Sequence, residues 1–592
     1  MAPSPLTPLQ FQAVTHADGP LIVLAGPGTG KTRALTYRLA YLILERGLPA
    51  ERILAVTFTN QAAEEMAGRV RGLLGENPGA VRPRITTFHG FCYGLLIHDL
   101  GQTRRLLSEN EAQQVLKETV RERRADFPVQ QLKELSRRIS LAKGSLLSPE
   151  PGNRLPGWKI FPDWSRLYRD YQGHLAEQNL WDFDDLINQT VFFLETRPDF
   201  RERIQKQFPY IFVDEFQDIN SAQYRLFRLL TGPNREWLVI GDPNQAIYGF
   251  RGARADFFER LREEAPSVTE IVLEDTFRLN RTILAASQQV LAASPAAVRL
   301  RLAATKKGPP TLPVAALASA EEEARQVVRI IETEMGGLSM LSMGSGGSGE
   351  VPGSFSDFAV LYRLHAQGEL LGRFLDEKGI PYQRVRETHW ADCPEVRAIF
   401  SRMKALVPFN GAPLEALEQV LREAAANLER SNRQSGPILR IPDVEALKQL
   451  RLAAGAHRGD LESFLETLSL QTGLDTYQPD RETVKLLTFH AAKGLEFPVV
   501  ILTGCEDGLL PLTLFGEADP EEERRLFYVG CTRATEKLYF TWAERRTLMG
   551  QSLRQRLSPF VEDIDEKILS RLQPGPPKKT GPRRSRQMSL FK

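Results

Sequence analysis

The chain has 592 residues, of which 42% are hydrophobic and 25% are charged, and its formal net charge at pH 7 is +2. This composition is typical of globular proteins, and the length allows several domains. The small net charge predicts that any basic surface is local. The four cysteines form no CxxC pair, which disfavours a zinc site or a disulfide framework. Because no apolar run approaches the ~18 residues of a membrane span, we expect a cytoplasmic protein without membrane contact.

Short apolar strands alternate with amphipathic helices from the N-terminus onward, which predicts an α/β fold with parallel sheets. A helical pattern fills residues 105–180, with Ser108 and Glu111 as a predicted capping box. This stretch is predicted to be an insertion into the first sheet domain. The strands of that domain are expected at LIVLA (21–25), ILAVTF (53–58), ITTF (85–88), YIFVDE (210–215) and WLVIGD (237–242).

A second α/β block is predicted from residue 276. Ser319 and Glu322 are expected to cap its first long helix, and a flexible loop of low complexity is predicted over 336–354. Residues 390–480 have a helical pattern and are predicted to form a second, small insertion. The strands of the second sheet are expected at FAVLYR (358–363), VKLLTF (484–489), VVILTG (499–504) and KLYFTW (537–542).

The segment AGPGTGKT (25–32) follows the first strand and opens a helix. Glycines in such a turn let backbone N–H groups surround phosphate oxygens at the helix N-terminus. Lys31 would reach the β- and γ-phosphates, and the Thr32 hydroxyl would ligate Mg²⁺. The alternative is a glycine turn without a ligand. The predicted ATP contacts of this segment are Ala25, Gly26, Pro27, Gly28, Thr29, Gly30, Lys31 and Thr32.

The acidic string VDEFQD (213–218) stands at the end of a predicted strand, where parallel sheets present their ligand-binding side chains. Asp214 can hold Mg²⁺ through water, and Glu215 can orient and deprotonate the water that attacks a γ-phosphate. An acidic turn on a solvated loop is the alternative. Together with the glycine turn, this string predicts nucleotide hydrolysis.

Four strings resemble the UvrD/Rep/PcrA class of superfamily 1A DNA helicases: VDEFQD, GDPNQAIYGFRGA (241–253), TFHAAKGLEFPVV (488–500) and EEERRLFYVGCTRA (521–534). TFTNQAAEEM, TTFHGF, WDFDDLI and TFRLNRTIL match the same family in the same order. The resemblance implies two RecA-like P-loop domains, each interrupted by a helical insertion. It also implies an ATP-dependent 3′-to-5′ DNA translocase and helicase of DNA repair, recombination or replication restart. Such a protein would be prokaryotic and associated with the nucleoid.

The resemblance also implies how ATP is held. Gln10 would read the adenine edge, while Arg33 and Phe277 would stack on its two faces. Phe277 stands where the family usually has Tyr. Gln245 matches a sensor of the γ-phosphate, and Glu496 would contact the ribose or the phosphates. Arg278 and Arg533 match two arginine fingers, although an isolated arginine is more often a surface residue. The implied catalytic residues are Lys31, Glu215, Gln245, Arg278 and Arg533.

Single-stranded DNA and single-strand/duplex junctions are the implied partners. Aromatic stacking and backbone contacts hold single strands without regard to sequence. The implied stacking residues are Phe58, Tyr248 and Phe250, the last at a position where Trp is common. The implied phosphate or sugar contacts are Asn60, His89, Arg251, Arg363, Thr488 and His490. Core packing is the alternative for each aromatic residue and for both histidines.

The resemblance divides the chain into domains. The expected parts are a RecA-like domain 1A (1–104 and 181–275) with insertion 1B (105–180), a RecA-like domain 2A (276–389 and 483–572) with a reduced 2B-like insertion (390–482), and a disordered basic tail (573–592). Family members usually carry a large 2B domain that touches duplex DNA. Its reduction leaves two hypotheses open, a helicase that unwinds duplex DNA and a translocase that only strips proteins from single strands. A clamp-tethered scaffold with a vestigial ATPase is a separate alternative.

The chain ends in QMSLFK. QMSLF resembles the peptide with which bacterial replication and repair proteins bind the sliding clamp. Gln587 would form a hydrogen bond at the rim of the clamp pocket, and Leu590 and Phe591 would fill it. The alternative is a tail that folds back or has no function.

Overall fold

The protein is described here by a computed structural model. The residues that it describes are 6–75, 81–123, 127–150, 164–232, 236–336, 353–384, 394–409, 411–431, 444–457, 459–461, 464–465, 481–514, 519–548 and 551–572. Among these residues no helix is both long enough and apolar enough to cross a membrane.

The first domain is built on one sheet and carries the first insertion. Its N-terminal elements are α1 Pro8–Thr15, β1 Leu21–Ala25, α2 Lys31–Leu44, β2 Ile53–Thr57, α3 Asn60–Leu74, β3 Arg84–Thr87 and α4 Phe88–Gly94. The insertion contains β4 Arg105–Leu106, α5 Glu109–Arg123, α6 Val129–Gly144, α7 Trp164–Glu177 and β5 Leu180–Trp181. The domain continues with α8 Phe183–Thr196, α9 Pro198–Gln207, β6 Tyr210–Val213, α10 Ser221–Thr231, β7 Glu236–Gly241, α11 Phe257–Glu264 and β8 Thr269–Leu273.

The second domain follows directly. Its first elements are β9 Asp275–Asn280, α12 Arg281–Ala292, β10 Ala303–Lys306, β11 Leu312–Leu317, α13 Ala320–Glu334, β12 Phe358–Tyr362, α14 His365–Glu377 and β13 Tyr382–Arg384. Among the described residues of the second insertion, the helices are α15 Pro394–Lys404, α16 Pro413–Ser431 and α17 Val444–Ala456. The remaining elements are β14 Val484–Thr488, β15 Phe497–Leu502, α18 Pro520–Cys531, β16 Ala534–Ala543, β17 Arg545–Leu548, β18 Gln551–Arg554, α19 Pro559–Glu562 and β19 Leu569–Arg571.

Two parallel sheets form the cores of the two domains. The first has the strand order β3-β2-β6-β7-β1-β8, and the second has the order β13-β14-β12-β15-β16-β11-β19. All pairings in both sheets are parallel. Every residue of β1, β2, β12 and β14 is buried, as expected for strands covered by helices on both faces. The predicted α/β class with parallel sheets is therefore confirmed.

The sequence pattern missed several strands. β13 and β19 have only three residues each, which is too short for a periodic signal. β11 contains a proline and two alanines, residues that are depleted in strands. β8 lies at the edge of its sheet and is only partly buried, so it lacks the continuous apolar run of β1.

The two predicted helix caps are confirmed. The backbone N–H of Ser108 donates to Glu111 Oε2 at 2.8 Å, and the N–H of Glu111 donates to Ser108 Oγ at 3.3 Å. At the start of α13, Ser319 Oγ accepts from the N–H of Glu322 at 3.4 Å. Most of the predicted loop 336–354 lies outside the described residues.

The first insertion is attached to the sheet domain by a buried ion cluster. Lys143 near the end of α6 is fully buried, and its Nζ lies 2.5 Å from Asp182 Oδ2 and 2.7 Å from Asp185 Oδ1. Tyr171 of α7 also donates to Asp182 Oδ2, at 3.0 Å. Because Asp182 and Asp185 belong to α8 and its N-cap, the cluster fixes the insertion against the domain core.

Candidate nucleotide and nucleic-acid site

The glycine turn has the backbone shape that the sequence predicts. It connects β1 to α2, and Lys31 is the first residue of the helix. Gly28 and Gly30 have φ values of 73° and 82°, in the left-handed region that favours glycine. A Cβ at Gly28 would also overlap Arg278, and one at Gly30 would lie 2.6 Å from Gln10 Nε2. Both glycines are therefore required by conformation and by close neighbours.

Residues from two distant parts of the chain border this turn. Gln10 Nε2 donates to the carbonyl of Thr29 at 2.8 Å, and Gln10 Oε1 accepts from the N–H of Thr7 at 3.1 Å. On the other side, the N–H of Phe277 donates to the carbonyl of Gly28 at 3.0 Å. The structure thus brings Gln10 and Phe277 to the turn, although the Gln10 amide is already occupied by protein partners.

Arg33 and Phe277, the two implied partners of the adenine faces, differ in their surroundings. The Phe277 ring is 43% exposed, which leaves it available for stacking. The guanidinium of Arg33 lies over the ring of Tyr37, 5.5 Å from its centroid. Tyr37 is a neighbour that the sequence reasoning did not identify, although it stands one helical turn after Arg33.

The two carboxylates after β6 stand close to Lys31. Lys31 Nζ lies 3.8 Å from Glu215 Oε1. Burial and the charge of Glu215 raise the pKa of Asp214 to about 7. Burial alone would also raise the pKa of Glu215, but the ammonium groups of Lys31 and Lys493 bring it down to about 2. The pKa of Asp214 therefore lies near 7, whereas the neighbouring Glu215 favours the ionised form.

Thr32 and Asp214 form a donor set that fits Mg²⁺. Both supply oxygen, which this hard cation prefers, and Mg²⁺ is commonly held by one or two carboxylates together with substrate phosphates. The described residues contain no cluster of three or more His, Cys, Asp or Glu ligands. Burial and the charges of Glu215 and Asp218 raise the pKa of Asp214, whereas the ammonium group of Lys31 lowers it.

A chain of hydrogen bonds leads from Glu215 to the second domain. Gln217 Nε2 donates to Glu215, and Gln217 Oε1 accepts from the N–H of Asp242 at 3.0 Å. Asp242 Oδ2 accepts from Gln245 Nε2 at 2.7 Å. Gln245 Oε1 in turn accepts from Arg533 Nη2 at 3.4 Å. Three of the implied catalytic residues are therefore connected, through two residues that the sequence reasoning passed over.

Arg533 is buried although it carries a positive charge. Burial and the nearby guanidinium of Arg278 lower the pKa of Arg533 to about 9. Arg278 itself forms an ion pair with Glu496, with 2.5 Å between Nε and Oε2. Two cationic side chains thus approach one another at the domain boundary, an arrangement that favours an anion between them.

Lys493 is a further residue of the site, and it crosses between the domains. Its Nζ lies 2.6 Å from both Asp218 Oδ1 and Asp218 Oδ2, and it donates to the carbonyl of Gln245 at 2.6 Å. Lys493 and Asp218 both lie in strings that match the helicase family. The family resemblance of the two strings could have indicated that Lys493 and Asp218 belong to the site. Neither string by itself predicts that the two side chains are in contact.

Aromatic rings form a row beside this boundary. Phe58 and Tyr248 are stacked, with ring centroids 5.1 Å apart, and Tyr248 meets Phe250 edge-on at 6.0 Å. Phe250 in turn meets His490 of the second domain at 5.4 Å. Tyr248 is only 4% exposed, whereas Phe250 is 41% exposed. Phe250 is therefore the ring of this row that is best placed to stack on a base.

The side chains that the resemblance assigns to the phosphates and sugars of DNA differ in their surroundings. The Arg251 guanidinium lies 5.7 Å from the centroid of the Phe250 ring. Arg363 is held by Glu523, with 2.8 Å between Nη2 and Oε1. Asn60 begins α3, and the hydroxyl of the buried Thr488 accepts from the N–H of Ala491 at 3.1 Å.

The two implied histidines are neutral near pH 7. His89 stacks on Phe183 with ring centroids 3.9 Å apart, and burial lowers its pKa to about 3. Burial, with the charges of Arg363, Arg251 and Lys493, also lowers the pKa of His490 to about 3. Burial therefore favours the neutral form of both rings.

The fold and the candidate site together define a P-loop protein of two parallel α/β domains. Residues 6–266 match the model of the UvrD/REP helicase N-terminal domain, and residues 413–545 match that of the UvrD-like helicase C-terminal domain. The chain belongs to the UvrD/REP helicase family, so the predicted resemblance and the two RecA-like domains are confirmed.

Relatives of this family match nearly the whole chain, and three of them are described here. The ATP-dependent DNA helicase PcrA of Bacillus subtilis is 31% identical, over 96% of this chain and 87% of its own length. The ATP-dependent DNA helicase UvrD1 of Mycobacterium tuberculosis is 31% identical, over 95% of this chain and 85% of its own. The ATP-dependent DNA helicase PcrA of Staphylococcus epidermidis is 29% identical, over 95% and 86%.

Proposed function

We propose that the protein is an ATP-dependent DNA helicase that moves 3′ to 5′ along single-stranded DNA and acts in DNA repair, recombination or replication restart. The observation that carries the proposal is the hydrogen-bonded chain from Glu215 in the first domain to Arg533 in the second. It lies beside the row of aromatic rings that ends at Phe250 and His490. Hydrolysis and strand contact would therefore share one domain boundary.

The proposed ATP chemistry assigns one role to each side chain. The backbone of the glycine turn and Lys31 hold the phosphates, while Phe277 and Arg33 stack on the base. Glu215 orients the attacking water and accepts its proton, and Gln245 contacts the γ-phosphate. Arg278 and Arg533 neutralise the charge that develops on the transferred phosphoryl group. Glu496 forms an ion pair with Arg278 in this structure, and we assign it to contact the ribose or the phosphates when ATP binds.

Binding of ATP would also raise the pKa of Glu215, the proposed general base. Lys31 now stands 3.8 Å from Glu215 and helps to lower its pKa. Phosphates that attract Lys31 would weaken this influence, so that the pKa of Glu215 rises toward a value useful for proton transfer. Thr32 and Asp214 would hold Mg²⁺, which would offset the negative charge of the phosphates.

Movement along DNA would follow from closure and opening of the boundary. ATP contacted from both domains favours the closed arrangement, and its hydrolysis removes that bridge. Stacking on Phe250, together with the proposed contacts of Phe58, Tyr248, Asn60, His89, Arg251, Arg363, Thr488 and His490, would then alternate between stronger and weaker grip on the strand.

A translocase that does not open duplex DNA is the second candidate. The second insertion is small: in residues 394–465, the described helices are α15, α16 and α17. Their own apolar cluster includes Val396, Met403 and Leu450. A reduced insertion would limit contact with the duplex, and movement on the single strand would remain.

Unwinding of a short duplex with either a 3′ or a 5′ single-stranded tail separates the candidates. Opening of only the 3′-tailed substrate is expected for the proposed helicase. ATP hydrolysis stimulated by DNA without opening of either substrate would favour the translocase. Opening of only the 5′-tailed substrate would refute the proposed polarity, and hydrolysis indifferent to DNA would favour a scaffold role.

We also propose that the C-terminal peptide binds a bacterial sliding clamp through Gln587, Leu590 and Phe591. These residues lie outside the described part of the chain. The proposal rests on the peptide sequence QMSLF and on the basic residues that precede it. Single-strand/duplex junctions, where clamps are loaded and repair begins, are the proposed setting.

A further inference from the structure

One short segment of the first domain is held by side chains of the second. This stacking segment, residues 245–250, carries Tyr248 and Phe250. Arg525 Nε donates to the carbonyl of Ala246 at 2.7 Å, and Glu522 Oε1 accepts from the N–H of Gly249 at 2.9 Å. Lys493 adds its bond to the carbonyl of Gln245. All three bonds reach main-chain atoms, so they fix the path of the segment whatever its side chains do.

Packing agrees with the hydrogen bonds. Ile247 and Tyr248 are buried, and they belong to the apolar core that also contains Leu526 and Phe527 of α18. A Cβ at Gly249 would overlap the carboxylate of Glu522. The segment is therefore packed against α18 with no room for displacement toward it. Any movement of the segment in that direction must move the helix as well.

The same helix leads to the nucleotide site. Glu522 and Arg525 stand in the first half of α18, which ends at Cys531, two residues before Arg533. At 1.5 Å per residue, Glu522 and Cys531 are separated by roughly 14 Å along the axis. A packed helix over this distance behaves as a rigid rod, because its own backbone hydrogen bonds resist bending.

The contact at Gly249 is a hydrogen bond from a backbone N–H to the carboxylate of Glu522. Glu522 is partly buried, and this burial raises its pKa. Hydrogen bonds from a backbone N–H to a carboxylate are shorter and stronger than those between neutral groups. Arg525 likewise donates through a charged guanidinium. The two hydrogen bonds hold the segment at Ala246 and at Gly249, on either side of Tyr248.

We propose that Glu522 and Arg525 are positioning residues that transmit DNA contact at Phe250 to Arg533 through α18. A base that stacks on Phe250 shifts the stacking segment, and the two side chains carry this shift into the helix. The guanidinium of Arg533 then moves relative to Gln245 and the proposed γ-phosphate position. The proposal deepens the proposed function and depends on it.

The test compares ATP hydrolysis without DNA and with increasing single-stranded oligothymidylate. In Glu522→Ala and in Arg525→Met, maximal stimulation by DNA is expected to fall about tenfold, within the ~5- to 150-fold range of couplings between sites. The rate without DNA is expected to stay near that of the unaltered protein, since the two side chains bond to main-chain atoms of Ala246 and Gly249 and not to a residue assigned to ATP hydrolysis. Quenching of a 2-aminopurine base in the same oligonucleotide reports stacking, which is expected to persist.

Two variants serve as matched controls. Glu522→Gln keeps an oxygen that can accept from Gly249 and is expected to retain most of the stimulation. Glu521→Ala alters the neighbouring residue of α18, whose carboxylate contacts Ser294 rather than the stacking segment, and is expected to behave like the unaltered protein. A loss in Glu521→Ala equal to that in Glu522→Ala would overturn the proposal, because it would indicate general weakening of the helix.

Other outcomes are equally decisive. Full stimulation in both Glu522→Ala and Arg525→Met refutes the transmission. Parallel loss of 2-aminopurine quenching and of stimulation also refutes it, because the two residues would then serve DNA binding alone. If the unaltered protein showed no stimulation by DNA, the proposed function itself would fail, which is a different result. Arg525→Met keeps the test open should Glu522→Ala not fold.

Discussion

Lys493 of the second domain lies 2.6 Å from both carboxylate oxygens of Asp218 in the first. Both side chains are almost fully buried. The Lys493 ammonium also lies 4.9 Å from the centroid of the Tyr248 ring. This pair therefore joins the acidic string after β6, the stacking segment and the second domain at one point.

Replacement of Lys493 by Met is expected to destabilise the protein by about 3–5 kcal/mol, as for a buried pair that loses one partner. The cost should rise with pH. Burial raises the pKa of Asp218 to about 7, against the opposing charge of Lys493. Because this value exceeds that of the unfolded chain, the contribution of Asp218 to stability is lost as the pH rises through it. Without Lys493 the pKa of Asp218 rises further, so this loss continues to higher pH.

Calorimetric unfolding at about pH 5.5 and about pH 8.5, on either side of that pKa, measures the difference. Lys537→Met is the control, because Lys537 forms its ion pair with Glu334 at the surface. Its small cost should hardly change between the two pH values. If Lys493→Met lowered the free energy of unfolding more at the lower pH than at the higher pH, the expected direction of the pH dependence would be wrong.

Glu215→Gln is expected to retain ATP binding and to lose DNA-stimulated hydrolysis by about 10²–10⁴-fold, the usual contribution of a general base. The amide can still face the water but cannot accept its proton. Steady-state hydrolysis, with binding of a fluorescent ATP analogue, measures both quantities. Glu259→Gln, at an exposed position of α11, should be unaffected. Substantial residual turnover would remove Glu215 from its proposed role.

Phe250→Ala should weaken binding of single-stranded DNA by about 1–3 kcal/mol, or roughly five- to 150-fold in Kd, if the ring stacks on a base. Phe250→Trp should bind at least as tightly, because the larger ring offers more stacking area. Phe192→Ala removes another exposed ring, 54% exposed on α8, and should leave Kd unchanged. Fluorescence anisotropy of a labelled oligonucleotide compares the three, and equal Kd values throughout would exclude stacking at Phe250.

Removal of residues 587–592 should abolish binding to a bacterial sliding clamp and leave ATP hydrolysis intact. The expected loss follows from the absence of Leu590 and Phe591, which would fill the clamp pocket. Surface plasmon resonance with immobilised clamp measures the interaction. Replacement of Lys578 and Lys579 by Ala is the control, since it keeps the peptide. Clamp binding that survives the truncation would discard the proposal.

Local sequence patterns predicted much of the site because its parts are local. The glycine turn, Lys31 and the two carboxylates follow buried strands, and strands of parallel sheets present such residues at one edge. The path through Gln217 and Asp242 was not predicted, since it joins side chains of two separate strand ends. Likewise, no local pattern indicates that Arg363 meets Glu523, 160 residues further along the chain. The missed strands were short, exposed or rich in alanine, so they lacked periodicity.

The buried cluster around Lys143 has a consequence for how the chain can be divided. A cut at residues 105 and 180, as the sequence pattern suggests, would leave Lys143 in an excised insertion and its counter-charges Asp182 and Asp185 in the remainder. Each fragment would then expose or bury an uncompensated charge. The insertion and the domain core are therefore expected to unfold as one cooperative unit, with matching hydrogen-exchange protection in α6 and α8.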